Sequence, residues 1–329
     1  MPYILKIIGG ILALGIGAEM IVRSSVNLAT IYKISGYFIG FTIIALGTSL
    51  PELAASIQAI NEVNSIGIAM GNIIGSNVAN ILLILGLVVI IYPLDFREEK
   101  ENNQALIVLG ITILVVALFY LVLNNLGPDK FFIGLFLTLL FLLFLSRQYL
   151  IEKKYRNSKK SEKILYTQFQ SYIILLFGLI LLYFGSKYFI VGSKDLAIEL
   201  LIPDSIIGLT LVAFGTSLPE LATGLVAASK RQSGIAIGTI LGSNIYNIVG
   251  IFAIIVFFTK DQVLVAPSQS FLLILNAVIM AFVTLFFVIR IRIGIKFFNI
   301  RPYHLDSRSG ILFFILYLIY ILFNYFIKQ

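Results

Sequence analysis

The sequence contains no cysteine, no tryptophan and a single histidine, and only 12% of its 329 residues are charged. Without cysteine there is no disulfide framework, no thiolate metal site and no cysteine nucleophile. An enzyme working inside a membrane needs a nucleophile with its base, or a metal held by histidines. His304 stands alone in a basic stretch and supplies neither. Charge is scarce against the roughly 25% of an ordinary soluble domain. Hydrophobic residues make up 59% of the chain, and the mean hydropathy is +1.02. These figures define an integral membrane protein. The net charge of +8 sits in short loops between apolar runs, a pattern of membrane orientation that excludes a nucleic-acid face.

A spanning helix needs about 20 apolar residues. Such segments fall near 3–31, 37–59, 65–92, 104–125, 130–150, 168–197, 205–229, 233–259, 265–290 and 309–327. The first continues through Glu19 and Arg23, so it reads as a retained helix, not a cleaved signal peptide. Glu19 and Arg23, four apart, form a structural pair or an interfacial anchor, and His304 reads as a loop residue. The expected fold is an all-α integral membrane protein of ten transmembrane helices. It divides into a first five-helix repeat over 1–145, a basic loop over 146–167 and a second repeat over 168–329.

The two halves repeat each other. GFTIIALGTSLPEL (Gly40–Leu53) and GLTLVAFGTSLPEL (Gly208–Leu221) agree at ten of fourteen positions. IGIAMGNIIGSNVANI (Ile66–Ile81) and SGIAIGTILGSNIYNI (Ser233–Ile248) agree at ten of sixteen, with offsets of 168 and 167 residues. An odd number of spans per repeat makes each half enter the membrane from the opposite side, giving inverted topology about an axis in the membrane plane. Seventeen of the twenty-four Lys and Arg residues fall on the side of the central loop. The positive-inside rule therefore puts that loop in the cytoplasm and both termini outside.

Each copy carries a proline and a glutamate inside an apolar run. Pro51 has no N–H for the carbonyl of Gly47, and Pro219 has none for Gly215. Backbone freed in this way persists in a membrane only in a cavity or inside protein, where its carbonyls suit a hard cation. Thr48 and Ser49 share a helix face with Glu52, as Thr216 and Ser217 do with Glu220. In the partner helices Ser76 and Asn80 are four apart, and so are Ser243 and Asn247. Every one of these groups is a hard oxygen ligand of the kind Ca2+ and Na+ prefer. Inverted symmetry is expected to bring the two clusters face to face near the midplane. One copy alone is open to reading as a turn with a capping glutamate. Two copies point to a site, because an intramembrane carboxylate is functional by default. Gly71, Gly75, Gly238 and Gly242 read as helix-packing glycines.

GTSLPE paired with GSNxxN, twice over, closely resembles the cation/Ca2+ exchanger superfamily and most of all its prokaryotic sodium/calcium exchanger branch. The resemblance covers nearly the whole chain. It implies an antiporter with Glu52 and Glu220 as central carboxylate ligands. It further implies hydroxyl or carbonyl ligands at Thr48, Ser49, Thr216, Ser217, Ser76 and Ser243, amides at Asn80 and Asn247, and backbone carbonyl donors at Ala45 and Ala213. No cofactor is implied beyond transported Na+ and Ca2+, and a monomer in the bilayer suffices for transport. In such exchangers the first and sixth helices are thought to slide against the other eight. Some prokaryotic members carry aspartate where this chain has Asn247, so the cluster here holds two carboxylates. The proton/calcium branch usually places an acid in the third and eighth helices, where GSNVAN and GSNIYN have none. This favours Na+ over H+ as the coupling ion. A proton-coupled antiporter and a cation channel are the remaining readings.

Overall fold

A computed structural model describes residues 2–61, 66–96, 99–126, 128–155, 164–199, 213–259, 267–293 and 302–327. Among the described residues nine helices are long and apolar enough to cross a membrane. The start of the expected span 205–229 and the middle of the basic loop lie outside the described residues. The rest of that span forms α10 (Ala213–Thr216) and α11 (Leu218–Ser229). The described chain is helical apart from a two-residue antiparallel ladder, β1 (Leu94–Asp95) on β2 (His304–Leu305). His304 is therefore a strand residue, not a loop residue, and its Nδ1 lies 2.7 Å from Asp95 Oδ1.

The chain packs as two compact units, each drawing on both halves of the sequence. One comprises residues 1–51 and 148–239, the other residues 52–147 and 240–329. In the first unit, α1 (Pro2–Tyr32) and α9 (Gln168–Glu199) run antiparallel in close contact. A Cβ added at Gly10 would lie 2.8 Å from the Gly185 carbonyl, and one at Gly17 would lie 2.8 Å from the Gly178 carbonyl. The repeat offset of 168 turns Gly10 into Gly178 and Gly17 into Gly185. Each glycine therefore meets the image of the other, as a two-fold axis between the helices requires. Small residues let backbones approach this closely inside a membrane, where no hydrophobic force drives helices together. Lys6 closes one end of the pair on Asp195 at 2.8 Å. Asn27 closes the other, donating to Tyr166 O and Ser171 Oγ at 2.8 Å each.

Helix α11 also packs on α1. Here the expected Glu19–Arg23 pair forms, with a third member: Lys230 Nζ lies 2.8 Å from Glu19 Oε1. The short helix α2 (Gly36–Ile39) is capped by Ser35, whose Oγ accepts from Phe38 N at 3.0 Å. Ser35 N and Oγ in turn donate to the buried Glu152 carboxylate, at 2.6 and 2.7 Å. Glu152 belongs to α8 (Lys130–Tyr155).

The second unit is built on two interrupted helices. One runs from α5 (Ile66–Ala79) through a π-helical turn, Asn80–Ile84, into α6 (Leu85–Ile91). The other runs from α12 (Ser233–Ile245) through Tyr246–Ile251 into α13 (Phe252–Phe258). In each of these spans 83% of an 18-residue stretch is buried, against 28% for the span of α1, so they carry much of the described core. Around them α7 (Glu99–Leu123) packs on α14 (Pro267–Arg292), α14 on α5, and α15 (Ser307–Ile327) on α6. Phe119 and Phe252 pack in this core with ring centroids 4.2 Å apart and planes tilted by 44°. Asp306 caps α15 by accepting from Ser309 N and Oγ. Burial pushes the Asp306 pKa up, but these bonds and the Arg290 charge outweigh it, leaving the group below the ordinary aspartate value.

Candidate cation site

The repeated GTSLPE motif interrupts its helix as the proline predicts, and in the same way in both copies. In the first, α3 (Ala45–Thr48) stops at Ser49 and α4 (Leu50–Asn61) begins one residue later. Ser49 has φ −83° and ψ 1°, and Ser217, between α10 and α11, has φ −92° and ψ 6°. Both serines thus sit in the sparsely populated bridge region that recurs at functional sites. Glu52 and Glu220 each fall in the first turn of a 12-residue helix, where the positive end of the helix dipole favours an anion.

The freed carbonyls have different fates. Ser186 Oγ, on α9, donates to Gly215 O at 2.6 Å. The hydroxyl of a neighbouring helix therefore satisfies the group that Pro219 strands. The residue corresponding to Ser186 in the first half is Ala18, which has no donor to offer the Gly47 carbonyl. The sequence alone did not reveal Ser186, since nothing in the spacing ties it to Gly215. The Ala45 carbonyl accepts from Ser49 N at 3.0 Å and from Thr48 Oγ1 at 3.3 Å, while Ala213 opens α10.

In the first unit, Ala45, Thr48, Ser49, Thr216, Ser217 and Glu220 are all buried; in the second, so are Glu52, Ser76, Asn80, Ser243 and Asn247. None of these is more than 6% exposed. In the second unit Asn80 and Asn247 share one local geometry. Each lies in a π-helical turn, with its carbonyl bonded to an amide five residues on, at Leu85 and Phe252. Such turns cluster at functional sites. Asn80 Nδ2 donates across the unit to Asn244 Oδ1 at 2.9 Å, and its own Oδ1 has no partner among the described residues. The Asn247 amide is fully buried, and among the described residues neither its Oδ1 nor its Nδ2 is bonded; Ser49 Oγ is likewise buried without a partner among them. A buried amide left unbonded costs about 1–3 kcal/mol, so the Asn247 side chain is an uncompensated polar group among the described residues.

Among the described residues no three or more His, Asp or Glu side chains gather into a metal cluster. An open cleft of about 560 Å3 lined by Leu121, Asn125, Asp129, Lys130, Phe257 and their neighbours shares no residue with this set. Of the four glycines expected to pack, Gly238 does, 2.4 Å from Tyr37 O if given a Cβ. At Gly75 an added Cβ would meet nothing within 4 Å among the described residues.

The chain matches the family described as "Sodium/calcium exchanger protein" over residues 2–150 and 170–326. It belongs to the sodium/calcium exchanger family. Among its relatives is an uncharacterized membrane protein of Methanocaldococcus jannaschii, 36% identical over 74% of this chain and 78% of that one. The sodium/calcium exchanger MaX1 of Methanosarcina acetivorans is 29% identical over 73% of this chain and 78% of its own. The solved sodium/calcium exchanger from Methanococcus jannaschii superposes with a TM-score of 0.78 at 30% identity, covering 97% of both chains. The fold is accordingly that of an exchanger in this family, a multi-pass, all-helical membrane protein.

Proposed function

We propose that this exchanger moves Na+ and Ca2+ in opposite directions across the membrane by alternating access. Both ions would compete for one site near the midplane, with Glu52 and Glu220 as its charged ligands. The observation that carries the assignment is Asn247, an image of Asn80 whose buried amide makes no hydrogen bond among the described residues. The hydroxyls of Thr48, Ser49, Ser76, Thr216, Ser217 and Ser243 and the carbonyls of Ala45 and Ala213 complete the set. Two carboxylates at midplane are too costly to cross the membrane without counter-ions. One Ca2+ or two Na+ neutralise them, so the loaded site crosses and the empty site does not. That condition alone makes exchange obligatory. No cofactor and no second subunit enters this scheme. The bias of Lys and Arg supports a cytoplasmic central loop with both termini outside.

The test is Ca2+ uptake by proteoliposomes loaded with Na+ and diluted into Na+-free medium. Uptake that follows the Na+ gradient supports the proposal. Uptake driven equally well by a pH gradient without Na+ would move the protein to the proton-coupled class.

A further inference from the structure

The two glutamate-bearing turns are alike in sequence and differ in what holds them. In the first half, Asn72 reaches from α5 to α4. Its Nδ2 donates to the main-chain carbonyl of Glu52 at 3.1 Å and to Ser56 Oγ, one turn further along, at 3.0 Å. Ser56 is fully buried. Asn72 thus spans the single helical turn that begins at Glu52, from the helix that also carries Ser76. In the second half neither partner exists in the sequence. The repeat offset places Thr239 where Asn72 stands and Gly224 where Ser56 stands. The Thr239 hydroxyl is buried and has no partner among the described residues. There the Glu220 carbonyl accepts instead from Thr223 Oγ1 at 3.1 Å, within its own helix, and the same hydroxyl bonds Pro219 O at 2.8 Å.

We propose that Asn72 is a positioning residue for Glu52. By bonding two successive positions of α4 from α5, it fixes the rotation and height of the first carboxylate against the helix of Ser76. Glu220 is positioned from within α11 by Thr223. The Glu52 turn is thus tied through its main chain to a neighbouring helix, while the Glu220 carbonyl is bonded by Thr223 of its own helix. A bidentate tie of this kind resists both sliding and rotation of α4, because either movement stretches at least one of its bonds past hydrogen-bonding range. Without it the Glu52 turn samples orientations that bind the cation less well, and affinity falls while the transport cycle itself remains intact.

This inference rests on the reading of Glu52 as an ion ligand, and the test separates the two. Na+-gradient-driven Ca2+ uptake is measured in proteoliposomes for the wild type, Asn72→Leu, Asn72→Ser and Thr239→Val. Absence of Na+-driven uptake in the wild type would sink the exchange proposal, and full uptake by Glu52→Gln measured alongside would sink the reading of Glu52 as a ligand. Given wild-type uptake, Asn72→Leu is expected to raise the KM for Ca2+ about three- to tenfold, the worth of one hydrogen bond to a buried group. The maximum rate per reconstituted protein should stay within about twofold. Asn72→Ser removes the reach without crowding the helix contact and carries the same expectation if the leucine variant fails to fold. Thr239→Val should leave KM unchanged. An unaltered KM in the Asn72 variants, with or without a lower rate, would overturn the proposal. So would an equal KM shift in Thr239→Val, since general packing would then explain both.

Discussion

At the scale of single residues, Asn80 and Asn247 separate binding from folding. Asn80 donates to Asn244, so Asn80→Leu strands a buried carbonyl oxygen and is expected to lower both thermal stability and transport. Asn247 has no partner among the described residues, so Asn247→Leu removes a buried polar group and leaves none of them unsatisfied. Its melting temperature in detergent should match or exceed the wild type, while Ca2+ uptake falls at least about tenfold, the worth of a lost hydrogen-bond-strength ligand. Equal loss of stability in both variants would argue that Asn247 is merely structural. Much at this scale was legible in the sequence: the repeated proline and glutamate, their hydroxyl neighbours at helical spacing, and Asn80 with its image. What was hidden depended on neighbours brought in by packing. Asn72, Ser186 and Lys230 act on residues 20, 29 and 211 positions away, and Asn244 on one 164 away. No local periodicity encodes such distances.

At the scale of elements, the antiparallel contact of α1 and α9 is set by four glycines. Gly10→Ala and Gly17→Ala would press a methyl to within 2.7 and 2.8 Å of the facing backbone, whereas at Gly9 and Gly15 a Cβ meets nothing within 4 Å among the described residues. Overpacking of this kind costs about 1–3 kcal/mol. Gly10→Ala and Gly17→Ala should therefore lower the melting temperature of the purified protein, and Gly9→Ala and Gly15→Ala should not. If all four behaved alike, the close approach would not be what joins the helices. The helices themselves followed from apolar length, and the interruptions at Ser49 and Ser217 from Pro51 and Pro219. The π-helical turns at Asn80 and Tyr246 did not. A π turn inserts one residue into an otherwise regular ladder and leaves no signature in hydrophobic spacing. The seven-residue separation of Gly10 from Gly17, repeated at Gly178 and Gly185, gains meaning only once the repeat offset is applied.

At the scale of the whole molecule, the account requires that an empty site not cross. Vesicles loaded with K+ alone should accumulate no Ca2+. Vesicles loaded with unlabelled Ca2+ should exchange it for tracer Ca2+ without Na+. Tracer entry into K+-loaded vesicles at the same rate would mark a channel. The steady-state Ca2+ ratio reads the stoichiometry under a tenfold Na+ gradient. Two Na+ supply about 2.8 kcal/mol, a ratio near 10^2. Three Na+ with one net charge at 100 mV supply about 6.5 kcal/mol, a ratio near 10^4–10^5. In the proposed scheme the repeat links this behaviour to the chain: the same interrupted, acidic helix occurs twice, and each copy would contribute one carboxylate.

The most direct test of that claim is Na+-gradient-driven Ca2+ uptake measured side by side for the wild type, Glu52→Gln and Glu220→Gln, each verified as folded and reconstituted at equal density. The account predicts uptake in the wild type and none above protein-free vesicles in either variant. Full exchange by either variant would contradict it.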